Sequence, residues 1–157
     1  MAQEIMPYVI KEEPEDRFQR RSVSWDGKTR TYKFRKKKKK KAFEGQIYVL
    51  IDGGTFSSAS TLARYLKEHS NAIIIGEESG SRYEAFAAGS KQYVQLPNSG
   101  IEIGIPRFLI EFGEGKKQQT KNRGVLPDHS IQYTMLHVIA ERDLHMEKAE
   151  ELIRNKK

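Results

Sequence analysis

Residues 46–66, QIYVLIDGGTFSSASTLARYL, constrain the fold more than any other stretch of this chain. The run from Ile47 to Ile51 is apolar and rich in β-branched residues. Such a run predicts a strand buried on both faces of a mostly parallel sheet. A helical pattern comes almost at once: Ala59, Leu62, Ala63 and Leu66 recur at the spacing that puts them on one face, ready to pack back onto the sheet. Between strand and helix lie Gly53, Gly54 and the small hydroxyl residues Thr55, Ser57, Ser58 and Ser60. Glycines open backbone conformations closed to other residues, and a helix start offers unpaired N–H groups at the positive end of its dipole. An oxyanion is favoured at such a turn, and a serine there can attack a carbonyl while neighbouring amides hold the charge that develops. The same residues also read as a helix N-cap after a tight turn, a purely structural role.

The flanking segments extend this strand-helix unit. Ala72 to Ile75 predicts a second buried strand ending in Gly76, and the strand-helix-strand order implies a parallel crossover. The Gly53–Ser60 turn and the 76–88 loop would then lie together beyond the carboxyl ends of the strands, where ligands gather in open α/β sheets. Residues 91–96 and 101–105 predict a hairpin around Pro97-Asn98-Ser99-Gly100, with a further strand over 108–112 after Pro106. Residues 113–123 read as a loop and 124–128 as a turn. A helix over 133–141 would point Met135, Leu136, Ile139 and Ala140 inward, and Asp143 would cap a last helix carrying Met146, Ala149, Leu152 and Ile153. Upstream, a short strand is expected at 8–10. Asp26-Gly27 predicts a type I′ hairpin turn, with Trp25 at its end and Tyr32 and Phe34 sharing a face.

Three strings in order resemble one family. IYVLIDGGTFSSASTLARYLKEHSNAIIIGEESG, LPNSGIEIGIP and NRGVLPDHSI are similar to the nucleophile region, later strands and closing segment of the C-terminal processing, or tail-specific, proteases of the crotonase-like superfamily. The match runs from about residue 43 to 131. The resemblance implies an α/β crotonase-like fold of strand-helix repeats with a mostly parallel buried sheet, an added β-hairpin and C-terminal helices. Residues 1–42 would form an arm, hairpin and lysine tract, and 43–157 the C-terminal portion of the protease domain. It also implies a serine endopeptidase with Ser58 as nucleophile and oxyanion donors from Gly53, Gly54 and Ala59. A polypeptide substrate, no cofactor or metal, and a periplasmic or cell-envelope location are implied by the same likeness, with the export signal expected on a preceding N-terminal part.

The base is where this sequence departs from the family. In the tail-specific branch it is a lysine on the loop after the second strand, and that position falls on Arg82. Arginine keeps its proton under ordinary conditions and cannot take one from serine. The next lysine downstream is Lys91, out of register. A second branch uses a histidine assisted by a glutamate before the closing segment, and Lys121 stands at that glutamate position. His69, His129, His137 and His145 sit where surface or packing roles are expected, and Glu77 and Glu78 lie near the predicted site. A catalytically inactive relative that binds peptide or an apolar ligand is therefore the alternative reading.

Composition excludes several other classes. The chain has 157 residues, no cysteine and a net charge of +7. Disulfides, thiol catalysis and zinc-thiolate sites are ruled out. Six of the positive charges come from the lysines at 36–41, so the remainder is close to neutral. The tract has no interleaved aromatic residue for stacking on bases. It reads as a solvated loop, and no nucleic-acid partner is expected; attraction to anionic lipid or nucleic acid would be salt-dependent. No apolar run reaches the roughly 20 residues of a membrane-spanning helix. Apolar faces left open on such a domain would favour a homo-oligomer.

Overall fold

The computed structural model describes residues 5, 8–9, 19–24, 26–33, 43–112, 117 and 121–155. The central apolar run forms β3, Tyr48–Ile51, and the second forms β4, Ile73–Gly76. They pair in parallel, Val49 opposite Ile74 and Ile51 opposite Gly76. The expected strand-helix-strand unit is therefore present, with α1 over Ser58–His69 between its strands. A third parallel strand, β7, His129–Ser130, pairs with β4 and completes a sheet of order β3-β4-β7. Its two residues come directly after the segment 124–128, which reads in sequence as a turn with no strand beyond it.

Burial on both faces holds for β4 but not for β3. Ile74 and Ile75 are fully buried, whereas Leu50 is 38% exposed. Among the described residues β4 is the middle strand and β3 lies at an edge, with a neighbour on one side only.

The parallel sheet expected from sequence is thus present but small; the larger sheet is antiparallel, and in it the expected N-terminal hairpin joins the strands of the expected 91–105 hairpin. That sheet is built from β1 (Gln19–Ser24), β2 (Thr29–Lys33), β5 (Ala85–Gln95) and β6 (Glu102–Phe112), in the order β2-β1-β6-β5. The Asp26-Gly27 hairpin forms with Gly27 at positive φ (77°), and Ser24 O accepts the Gly27 N–H at 2.9 Å across a longer loop than a type I′ turn needs. Trp25, Phe34 and the lysines at 36–41 lie outside the described residues. Tyr8 and Val9 are helical rather than extended. β1 reaches across the chain to pair with β6, Ser22 opposite Ile110.

Pro106 does not end β6. The β5–β6 register shifts between Ala88 and Lys91, and Lys91 is the partner of Pro106. A proline without an N–H is tolerated beside such a bulge, where the ladder is already interrupted.

α1 packs between the two sheets, which explains why it buries more than the apolar stripe predicted. Ala63 joins Ile51, Ile74, Tyr83 and Val125 in one core cluster, while Tyr65 and Phe112 form a second, with Leu62, Phe86 and Ile110 against it. Ala59, at the start of that stripe, is exposed. Arg64 lies over the rings of Tyr83 and Phe112, 4.7 and 5.0 Å from their centres. Cation–π contact lets a guanidinium be buried among aromatics.

The C-terminal helices are α2, Met135–Ile139, and α3, Leu144–Arg154. Asp143 caps α3 as expected, accepting the Met146 N–H at 3.0 Å. α3 buries Ala149 and half-buries Leu152, but Met146 and Ile153 are exposed. α2 is five residues long, and Met135, Leu136, Ile139 and Ala140 all face outward, Leu136 being 76% exposed. The predicted inward face is thus exposed, with no residue of this short helix buried and no described element packed over its apolar side chains. No helix among the described residues is long and apolar enough to cross a membrane.

Candidate active site

The turn between β3 and α1 is tied by Asp52. Its Oδ1 accepts the Gly54 N–H at 2.9 Å and the Thr55 hydroxyl at 3.1 Å, and its carbonyl accepts the Thr55 N–H at 3.0 Å. Asp, Gly and Thr in this order suit such a side-chain-closed turn. The chain then passes through exposed Phe56 and Ser57 into the helix.

Ser57 is the helix N-cap residue, yet its side chain makes no capping hydrogen bond. Its backbone stands at φ 51°, ψ −116°, outside the right-handed and extended regions and away from the ordinary left-handed well. A non-glycine residue held there costs about 1–3 kcal/mol and persists only where its surroundings impose it. Those surroundings are visible. Ser81 Oγ, buried, accepts the Ser57 N–H at 2.8 Å. Ser57 O accepts both the N–H and the hydroxyl of Thr61 at 2.9 Å, and Ser60 Oγ donates to Thr55 O at 2.5 Å.

The loop after β4 closes over this turn. Gly80 donates its N–H to Thr55 O at 3.1 Å, and a methyl group at Gly80 would overlap Gly53 O and the Phe56 ring. A glycine is required there by close approach. On its other side the loop is braced by residues 122–125. Glu78 accepts hydrogen bonds from Arg123 Nε and Nη2 and from the Gly124 N–H, the last at 2.6 Å, and Ser79 Oγ accepts the Val125 N–H at 2.8 Å. Arg123 holds the Glu78 carboxyl below its ordinary value, and the Gly124 amide adds to this against the opposing effect of burial. Tyr83 N–H donates to Arg123 O at 2.7 Å.

Three segments therefore meet, and they contain most of the residues singled out from sequence. Gly53, Gly54, Ser58 and Ala59 lie on the turn, Arg82 on the middle loop, and Lys121 just before the bracing segment. Their amides are not equivalent as oxyanion donors. Gly54 and Ala59 spend theirs on Asp52 Oδ1 and, at 3.0 Å, on Phe56 O. Among the described residues, the N–H groups of Gly53 and Ser58 have no hydrogen-bond partner.

Arg82 is 54% exposed and 3.9 Å from Glu84, and Lys121 is exposed. The histidines are engaged elsewhere. His69 lies against Tyr65 at the far end of α1, about 18 Å along the helix from its start. His137 Nδ1 accepts the Thr134 N–H at 3.1 Å in the α2 capping box, His145 packs on Tyr133, and His129 belongs to β7. No cluster of acidic residues, histidine or cysteine among the described residues could hold a metal ion. Sequence reading counts Ser57 only among the hydroxyl residues of the turn and gives Ser81 no role, since neither positive φ at a serine nor a contact across 24 residues leaves a local signal.

The family model for peptidase family S41 matches residues 6–131. No curated protein matches the sequence. Among solved structures, a candidate peptidase from Parabacteroides merdae is similar at 15% identity with a TM-score of 0.59, over 96% of this chain and 46% of that one. A candidate S41 protease from Bacteroides fragilis is similar at 11% identity and 0.57, over 99% and 41%. A lipoprotein from Streptococcus agalactiae is similar at 12% identity and 0.53, over 100% and 51%. The chain thus spans about half the length of these structures or less, and at such identities the likeness is one of fold.

Proposed function

The chain belongs to peptidase family S41, and from that premise we propose that it carries the nucleophile region of a serine endopeptidase that cleaves polypeptides through an acyl-enzyme. The observation that carries this reading is the exposed Ser57-Ser58 pair at a tied strand-to-helix turn with unpartnered N–H groups beside it. The resemblance gives the attacking hydroxyl to Ser58; the strained backbone of Ser57 and the unpartnered Ser58 N–H beside it favour Ser57. The serine oxygen adds to the scissile carbonyl as its proton passes to a general base, the carbonyl oxygen becomes an oxyanion held by turn amides, and the amine departs with that proton to leave an ester on serine. Water then hydrolyses the ester. Of the amides that the resemblance implies, Gly53 fits best, because those of Gly54 and Ala59 already have partners.

The general base is not Arg82, whose guanidinium cannot accept the proton. Arg82 and Lys121 at the two base-related positions favour a second reading, a relative that keeps the peptide cleft without turnover. The crotonase-like ancestry of the fold belongs to the proposal, as does a cell-envelope setting, supported by the family resemblance and the likeness to a bacterial lipoprotein.

Release of fluorescent peptides from labelled casein, compared with the Ser57→Ala/Ser58→Ala double variant, tests the peptidase reading. We expect turnover that falls by at least about a thousandfold in the double variant. Peptide binding without turnover, equal in both proteins, would support the binding-only relative instead.

A further inference from the structure

Phe56 stands between Thr55 and Ser57 on the turn, and it is 56% exposed. Building on the peptidase reading above, we infer that the Phe56 ring is a specificity-determining seat, which receives a large apolar side chain from a substrate residue flanking the scissile bond. The inference is the same whichever neighbouring serine attacks.

The first observation is where the ring lies. A methyl group at Gly80 would overlap Phe56 Cζ, so the far end of the ring rests on the Gly80 backbone. The ring thus bridges the turn and the loop after β4. A phenylalanine that served only to join two segments would gain most by being covered on all sides. Gly80 has no side chain with which to cover it, and more than half of Phe56 stays in solvent.

The second observation is how firmly the seat is mounted. Thr55 O accepts the Gly80 N–H at 3.1 Å and the Ser60 hydroxyl at 2.5 Å, and Phe56 O accepts the Ala59 N–H at 3.0 Å. The Ser57 N–H is given to buried Ser81 Oγ at 2.8 Å. The peptide groups on both sides of Phe56 are therefore fixed, and an aromatic side chain has few rotatable bonds left to order. Little of the gain from apolar burial is lost to immobilising such a surface.

The third observation is reach. A carbonyl under attack sits about 3 Å from the serine oxygen. Consecutive Cα atoms are about 3.8 Å apart, so the side chains flanking that carbonyl fall within the span of the ring at position 56. The Asp52 carboxylate beside the ring is engaged by the Gly54 N–H and the Thr55 hydroxyl. Glu78 on the facing loop is engaged by Arg123 and Gly124. An aromatic face also attracts cations, so lysine is the competitor that a test must include.

Binding is read on the full chain carrying Ser57→Ala/Ser58→Ala, which forms no acyl-enzyme, by fluorescence anisotropy of rhodamine-labelled peptides that differ only in a central Leu, Gln or Lys. The Leu peptide should bind about tenfold more tightly than the other two, the effect of covering much of one leucine side chain. Adding Phe56→Ala should bring the Leu peptide down to the affinity of the others, and Phe56→Leu should keep most of the preference. On the parent chain, bonds cut in unfolded casein should be enriched in large apolar residues on one side, and Phe56→Ala should flatten that enrichment. Equal binding of all the peptides, a preference for Lys, or a Leu preference untouched by Phe56→Ala would overturn the inference. So would a uniform loss for every peptide in Phe56→Ala, which is what a purely structural ring would give. Casein cleavage without apolar enrichment would overturn the seat and leave the peptidase reading standing. A Leu preference that depends on Phe56, with no cleavage by the parent, would support the seat and count against turnover.

Discussion

Glu78 is the ionisable residue most directly built into the frame of the site, bridging the loop after β4 to Arg123 and Gly124. Its folded-state pKa lies below the ordinary 4.5, first because of the Arg123 hydrogen bond. A depressed carboxyl stabilises the fold above its unfolded value, and that contribution is lost as pH falls through the folded one. Glu78→Gln should therefore cost about 1 kcal/mol near pH 7, a charge-assisted hydrogen bond discounted for partial exposure. The difference from the parent should vanish below the carboxylate range, as measured by urea denaturation at a series of pH values. A constant difference at all pH values would show that the ion pair carries none of it. In sequence Glu78 reads only as an acid near the site; its partner lies 45 residues away. Spatial pairing at that separation is set by tertiary packing and leaves no local trace.

At the scale of elements, α1 is held by polar ties as much as by its apolar stripe. Lys67 Nζ donates to Asp128 Oδ1 at 2.8 Å and to Leu126 O at 2.7 Å, while Asp128 Oδ2 accepts the Ile74 N–H at 2.8 Å. One carboxylate thus joins α1, β4 and the chain entering β7. Asp128→Ala should destabilise by about 2–4 kcal/mol, because it leaves a largely buried ammonium without its counter-charge and a strand amide without its acceptor. Asp128→Asn, which keeps the shape and one acceptor, should recover part of this in thermal melts; an equal loss in both would point to the charge alone. The element positions of β3, β4, α1 and α3 were legible because apolar period and capping chemistry are local. The inward face assigned to α2 was not, because periodicity marks an apolar face without showing what, if anything, packs on it.

At the scale of the molecule, two groups stand out among the exposed apolar side chains of the described residues. Leu136, Val138 and Ile139 stand out on α2, and Val94, Ile101, Ile103 and Ile105 lie along the projecting part of the β5–β6 hairpin. Apolar surface of this kind favours association. Light scattering should show a mass that rises with concentration, and Leu136→Lys with Ile139→Lys should lower it; a monomer throughout would contradict this. The sequence by itself determined a strand-turn-helix-strand unit, a glycine- and hydroxyl-rich turn, a helix capped by Asp143 and membership of a serine peptidase family. Those properties arise from side-chain period, backbone allowance and motif order, all of which act over short spans. Tertiary structure alone decided that β1 and β2 join β5 and β6 in an antiparallel sheet, that β3 is an edge, and that Ser81 grips Ser57. Strand partners and imposed dihedral angles depend on which distant segments can bury their surfaces together, and no local pattern encodes that outcome.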